Sequence, residues 1–105
     1  MGSKVYRAIR QGAFPMVYVD DVELSPHPSY MIYNHAPDFE WGYGGQGPSQ
    51  LALAILLDCT GNATLSIRLH QPFKRDFIEN AEFDGFIIME SMIVKWLARQ
   101  MPEGE

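Results

Sequence analysis

The stretch from Gly44 to Leu57 constrains this chain most, because a glycine-rich turn runs without pause into a block of apolar residues. Gly44, Gly45 and Gly47 give the backbone freedom that side-chained residues lack. Pro48 then suits the first helical position, where its missing N–H is not needed. With Gly47 as N-cap, Gln50 falls at the third position and can reach back to the cap N–H, half of a capping box. Leu51, Ala52, Leu53, Ala54, Ile55, Leu56 and Leu57 follow. A helix apolar on every side has no solvent face, so this segment is expected to be the central buried element. Asp58 to Gly61 ends it, with Gly61 as the C-terminal stop.

The residues before that helix read as strands. Val5, Arg7 and Ile9 alternate with Tyr6, Ala8 and Arg10, and Met16 to Val19 form a second run stopped by Asp20-Asp21. A short loop containing Gly12 between them predicts an antiparallel hairpin. Leu24 reads as an isolated core anchor, since Pro26 and Pro28 oppose regular structure around it. Tyr30 to Tyr33 read as a third strand. If the next segment is extended, Phe39, Trp41 and Tyr43 share one face.

Beyond Gly61 the pattern is double. Leu65, Ile67 and Leu69 alternate as in a strand, while Leu65, Leu69 and Phe73 recur at helical spacing. Asn62 as a helix N-cap favours helix, with a break near Pro72 and a second helical piece through Phe73, Phe77 and Ile78. Phe86 to Ile88 predict a short strand. Met92, Ile93, Trp96, Leu97 and Met101 line one face of a last helix, with Lys95 and Arg99 opposite. The expected fold class is α+β: a small antiparallel sheet, the hairpin plus one or two strands, packed on a central apolar helix and two to three further helices.

Composition sets outer limits. A chain of 105 residues is expected to form a single domain over 1–105, since halves would be too small to bury a core. Thirteen acidic and eight basic residues give a net charge of -5, which repels a phosphate backbone and disfavours nucleic acid as a partner. The only basic cluster is Lys74-Arg75, with Arg68 nearby. The single cysteine, Cys59, excludes an internal disulfide and fits a reducing compartment. Neither a secretory signal nor a membrane-spanning apolar run is present, so a cytoplasmic location is expected.

From Asn34 to Asp58 the chain carries Asn-His-Ala-Pro, then Phe-Glu-Trp-Gly-Tyr-Gly-Gly-Gln-Gly-Pro-Ser-Gln-Leu-Ala. This resembles a family of small proteins built on a domain of unknown function, found in bacteria and on phages and other mobile elements. The Phe-Lys-Arg at Phe73 to Arg75 and the Ile-x-x-Trp-Leu at Ile93 to Leu97 extend the resemblance over most of the chain. Ala36 and Gln46 stand where the family pattern has serine, and Pro72 interrupts what the pattern reads as one helix. The resemblance brings no catalytic residue with it. It implies a binding module directed at a host protein or a small ligand.

Candidate chemistry centres on the glycine loop. A turn feeding a helix N-terminus offers free N–H groups and partial positive charge to a phosphate or carboxylate. The candidate ligand-binding residues are His35, Trp41, Tyr43, Gly44, Gly45, Gly47 and Gln50, for a small anionic or nucleotide-like ligand. The competing reading is purely structural, a tight turn in which aromatics pack on small residues. The loop lacks the Gly-Lys-Ser/Thr ending of a P-loop and is not a dinucleotide fingerprint. An enzyme reading makes His35 an acid–base beside the loop. A structural reading makes the chain a homo-oligomer through Trp41, Tyr43 or the Met-rich last helix. His27, His35, Asp38 and Glu40 match no metal-site spacing, so no metal and no cofactor are expected. Cys59, closing an apolar helix, reads as buried and inert.

Overall fold

The computed structural model describes residues 3–101. Alternation in the N-terminal segment produces β1 (Val5–Gln11) and β2 (Phe14–Val19), paired antiparallel with Gln11 opposite Phe14. Gly12 supplies the positive φ, +63°, that their two-residue turn demands. A second tight turn follows. Asp20 and Asp21 both take positive φ, at 49° and 70°, and join β2 to the short β3 (Val22–Glu23). Such a turn favours Asp, whose short polar side chain tolerates the left-handed region. β4 (Gly85–Met89) arrives from the far end of the chain and pairs antiparallel with β1, giving the sheet order β3-β2-β1-β4. The fold class is α+β, as expected.

Tyr6, Ala8, Val17 and Ile88 point from the sheet into one buried cluster with Leu51, Ile55 and Leu56. Those leucines and isoleucine belong to α2 (Gln46–Thr60), which is buried from Gly47 to Leu56. It is the central element that its all-round apolar sequence requires. Gly61 closes it in the left-handed conformation, φ 65°, donating to the Leu57 carbonyl at 2.8 Å. Asn62 then caps α3 (Ala63–Phe73), its side chain accepting from Leu65 N at 2.9 Å. The last helix, α4 (Glu90–Gln100), buries Ile93 and Trp96, while Met92 stays exposed on its flank. Phe73, Phe77 and Trp96 meet as an aromatic trio where α4 crosses the end of α3. Among the described residues no helix is long and apolar enough to cross a membrane.

Four local expectations are corrected. Tyr30 to Tyr33 do not form a strand; His27–Tyr30 make a short helix, α1, followed by a turn. Pro26 caps it and Pro28 lies in its first turn, positions where a proline removes no needed donor. The cap of α2 is Gly45 rather than Gly47, so the helix starts two residues earlier and Pro48 sits inside its first turn. α3 does not break at Pro72. It runs through the proline and widens into a π-helical turn, Lys74–Ile78, closed by Glu79 N–H to the Lys74 carbonyl at 2.9 Å. Pro72 costs α3 the bond its N–H would have given to the Arg68 carbonyl, and the π-helical turn begins two residues further on. Finally, Phe39, Trp41 and Tyr43 do not share a face. Gly42 turns the chain with φ +90° and donates to the Ile78 carbonyl, which leaves Trp41 inside and Tyr43 outside.

Candidate functional site

The site is assembled from two elements that never meet in sequence. The first turn of α2 brings Gly45, Gln46 and Ser49; α3 and its π turn bring His70, Gln71 and Lys74. Positions 67, 70, 71 and 74 lie on one helical face, which is what turns this set toward the glycine loop. Between the two elements lies a polar cavity of about 240 Å³ lined by Gly44, Gly45, Gln46, Ser49, Gln71 and Lys74. The one charged group in that lining is a cation. Gln71 Nε2 donates to Ser49 Oγ at 3.3 Å, and Ser49 N–H is already taken by the Gly45 carbonyl at 3.1 Å.

At one side of the cavity stand two imidazoles. His35 Nδ1 lies 3.1 Å from Gln46 Oε1, and His35 Nε2 lies 2.9 Å from His70 Nε2. His70 Nδ1 lies 2.8 Å from the Ile67 carbonyl. The Tyr33 ring lies against His35 at 4.5 Å between centroids. Burial holds both imidazoles below the ordinary histidine range; for His70 the proximity of His35 and Lys74 adds to it, and for His35 Lys74 does.

The candidate residues read from the sequence divide. His35, Gly44 and Gly45 are at the cavity or beside it. Trp41 is not; its side chain is 2% exposed, and its indole N–H donates to the Phe83 carbonyl at 3.0 Å. That burial also removes Trp41 as an oligomer contact. Tyr43 is 53% exposed, but its ring lies across Gly45, so close that a Cβ there would sit 2.3 Å from Tyr43 Cε2. Gly47 faces the backbone of residues 38–40, where a Cβ would sit 2.8 Å from Glu40 Cβ. A Cβ on Gly44 would meet the Glu79 carboxylate at 3.0 Å. Close packing therefore accounts for much of the glycine content of the loop.

Gln50 is fully buried and uses its whole amide on the protein. Its Oε1 accepts from the N–H groups of His35 and Ala36, at 2.5 and 3.2 Å. Its Nε2 donates to Ser29 Oγ at 2.9 Å and the Tyr33 carbonyl at 3.0 Å. It holds the loop that carries His35 and leaves nothing for a ligand, nor does it form the capping box expected of it.

Sequence reasoning missed His70, Gln71 and Ser49. The signal existed in the helical reading of 63–73, which puts Ser66, His70 and Phe73 on the buried face. Cys59 is half-buried at the end of α2, with its thiol pushed up by burial first and by Glu90 second, so it is a poor nucleophile. Of the residues weighed for metal, Glu40 pairs with Arg10 at 3.0 Å and His27 packs edge-on against Tyr30. Among the described residues no group of three or more His, Cys, Asp or Glu side chains converges on a metal position.

The chain belongs to the Family of unknown function (DUF6166), whose model matches residues 6–99. The resemblance to a family without an assigned activity, read over most of the chain, holds. No curated protein and no solved structure matches the chain.

Proposed function

We propose that this member of the family is a small cytosolic binding module, of phage or mobile-element origin, that takes a phosphate- or carboxylate-bearing ligand between α2 and α3. The observation that carries the reading is the polar cavity lined by Gly44, Gly45, Gln46, Ser49, Gln71 and Lys74. It combines the N-terminal end of a 15-residue helix with a lysine and neutral hydrogen-bonding side chains. That end carries partial positive charge and orphan N–H groups, and a lysine adds a full charge that suits an anion. The Glu79 carboxylate beside Gly44 repels an anion from the loop side, so the ligand's charged group belongs on the Lys74 side. A nucleotide fits the same description, with its phosphate at Lys74.

Calorimetric titration with inorganic phosphate, AMP and ATP tests the reading, with backbone amide shifts of residues 44–49 as a second readout. Binding that disappears in Lys74→Glu supports it. No heat and no amide shifts at millimolar phosphate or nucleotide would end it. A second reading, a small enzyme acting on the same class of ligand, draws on the position of His35 beside Gln46 at the cavity's edge. It requires that a bound phosphate ester be turned over and that His35→Ala abolish turnover without abolishing binding.

A further inference from the structure

The histidine pair brings two ring nitrogens, from elements far apart in sequence, to one point. A carbonyl oxygen only accepts hydrogen bonds, so His70 Nδ1, 2.8 Å from the Ile67 carbonyl, carries a hydrogen. In the neutral ring Nε2 is then a lone pair. With the exposed Gln46 amide oriented so that Oε1 lies 3.1 Å from His35 Nδ1, that nitrogen carries the hydrogen and His35 Nε2 is a lone pair too. These two lone pairs face each other at 2.9 Å. A metal ion seated beside them can take both lone pairs at once, and Gln71 Nε2 at 3.3 Å is the other group facing that of His70.

We propose that His35 and His70 are paired ligands for one divalent transition-metal ion of the copper, nickel and zinc group, each binding through Nε2. The remaining nitrogens match what metal-bound imidazoles do: each Nδ1 donates to a carbonyl oxygen, which fixes the tautomer and the ring orientation. Both rings are held in advance. His70 is buried on α3, and the backbone N–H of His35 is tied to Gln50 on α2. Nitrogens 2.9 Å apart, each about 2.05 Å from one ion, subtend roughly 90°. That is the cis angle of a tetragonal or octahedral ion, which favours Cu²⁺ and Ni²⁺. Tetrahedral Zn²⁺ needs the nitrogens to part by about 0.4 Å more. Gln71 Nε2, now 3.3 Å from His70 Nε2, must swing away.

Two imidazoles leave the other coordination positions to solvent or to an exogenous anion. The proposal goes beyond the anion reading and does not depend on it, since the imidazoles need no phosphate. A proton competes for the same lone pairs, and burial of the rings works against that competitor. Lys74 opposes any cation, which points to an ion whose affinity comes from ligand-field bonding to nitrogen rather than from charge alone.

The test uses the full chain stripped with chelator and titrated with CuSO₄, NiCl₂ or ZnCl₂ alone. The expected result is one ion per chain, tighter for copper and nickel than for zinc. The Zn²⁺ titration is followed by imidazole ¹⁵N resonances: Nε2 of His35 and His70 move together while each Nδ1 stays protonated. His35→Ala and His70→Gln each lower affinity at least tenfold, and His27→Ala, at an exposed histidine, leaves it unchanged. The wild-type ¹⁵N readout stands even if a variant folds poorly. Resonances of His35 and His70 that stay still at stoichiometric metal overturn the proposal. So does a single hydrogen bridging the two Nε2 atoms that metal does not displace.

Discussion

Gln50 Oε1 accepts the backbone N–H of His35 at 2.5 Å, so the central buried helix itself sets where the imidazole stands. The side chain is 0% exposed and is also bonded to Ala36, Ser29 and Tyr33. A polar residue in an otherwise apolar helix is tolerable only because its whole hydrogen-bonding capacity is met. Scaffold and site are therefore the same residue's work: the bonds that satisfy Gln50 hold residues 33–36 against α2.

Gln50→Leu keeps the volume and removes the bonds. The N–H groups of His35 and Ala36 and the Tyr33 carbonyl lose their partner, at a cost on the order of 3 kcal/mol. Urea denaturation should show that loss with an unchanged denaturant slope. Loss of the His35–His70 contact in the folded variant is expected alongside it. Stability equal to wild type would mean that the loop is held by something else.

Gly85 and Gly12 separate two reasons for glycine. At Gly85, φ is +142° and a Cβ would lie 2.0 Å from the Ala8 carbonyl oxygen, a backbone atom of the paired strand. At Gly12, φ is +63° and nothing lies within 4 Å of a Cβ. Gly12→Ala should cost about 1 kcal/mol, the strain of a side chain in the left-handed region. Gly85→Ala must also push β4 from β1 and should cost more than about 3 kcal/mol. Thermal unfolding of the two variants distinguishes them, and equal melting temperatures would refute the close approach.

The parts of the fold that the sequence made legible are those decided by local pattern. Alternation announced β1 and β2, the apolar block announced α2, and Gly61 with Asn62 marked the junction between two helices. Residues 26–45 resisted because their conformation is decided from outside. Gln50 gathers Ser29 and Tyr33 to Ala36 into one hydrogen-bonded knot that no short-range rule anticipates. Tyr30 to Tyr33 have the composition of a strand but, among the described residues, no neighbouring strand to pair with. The candidate site was half-legible for a related reason. The glycine loop and His35 stood out by type, whereas His70, Gln71 and Lys74 become neighbours of the loop only when α3 is helical and packed on α2.

Arg10 is the least expected covered side chain. Its side chain is 6% exposed, with its guanidinium 4.2 Å from the Trp41 ring and 4.0 Å from the Phe83 ring. Nε donates to the Phe83 carbonyl at 2.6 Å, and Glu40 closes the ion pair at 3.0 Å. Arg10→Met keeps an apolar stem but leaves the Phe83 carbonyl with the Trp41 indole N–H as its donor and strands the Glu40 charge. A loss of about 2–3 kcal/mol is expected, below the full cost for a buried pair because Glu40 is 31% exposed. Arg10→Lys should recover only part, since an ammonium lacks the planar fork that stacks and bonds at once. A double-mutant cycle with Glu40→Gln isolates the ion pair; a coupling energy near zero would assign the stability to the stacking and the Phe83 hydrogen bond.

The histidine pair also makes stability depend on pH in a definite direction. Burial lowers the proton affinity of both rings from the ordinary value of 6.5, with Lys74 facing both and each imidazole facing the other. The folded state then binds fewer protons than the unfolded state as pH falls through and below that value. Stability rises with pH wherever the unfolded chain binds more protons. The contribution is fully present above about pH 6.5 and is lost on acidification toward the lowered values of the folded state. Denaturation midpoints of metal-free protein at pH 7.5, 6.5 and 5.5 should fall in that order. His70→Gln, which keeps a polar side chain on α3 and removes one titrating ring, should flatten the fall. The variant keeps every other titrating group, so its difference from wild type isolates the imidazole pair. A variant whose midpoint falls as steeply as wild type would show that the pH dependence comes from elsewhere.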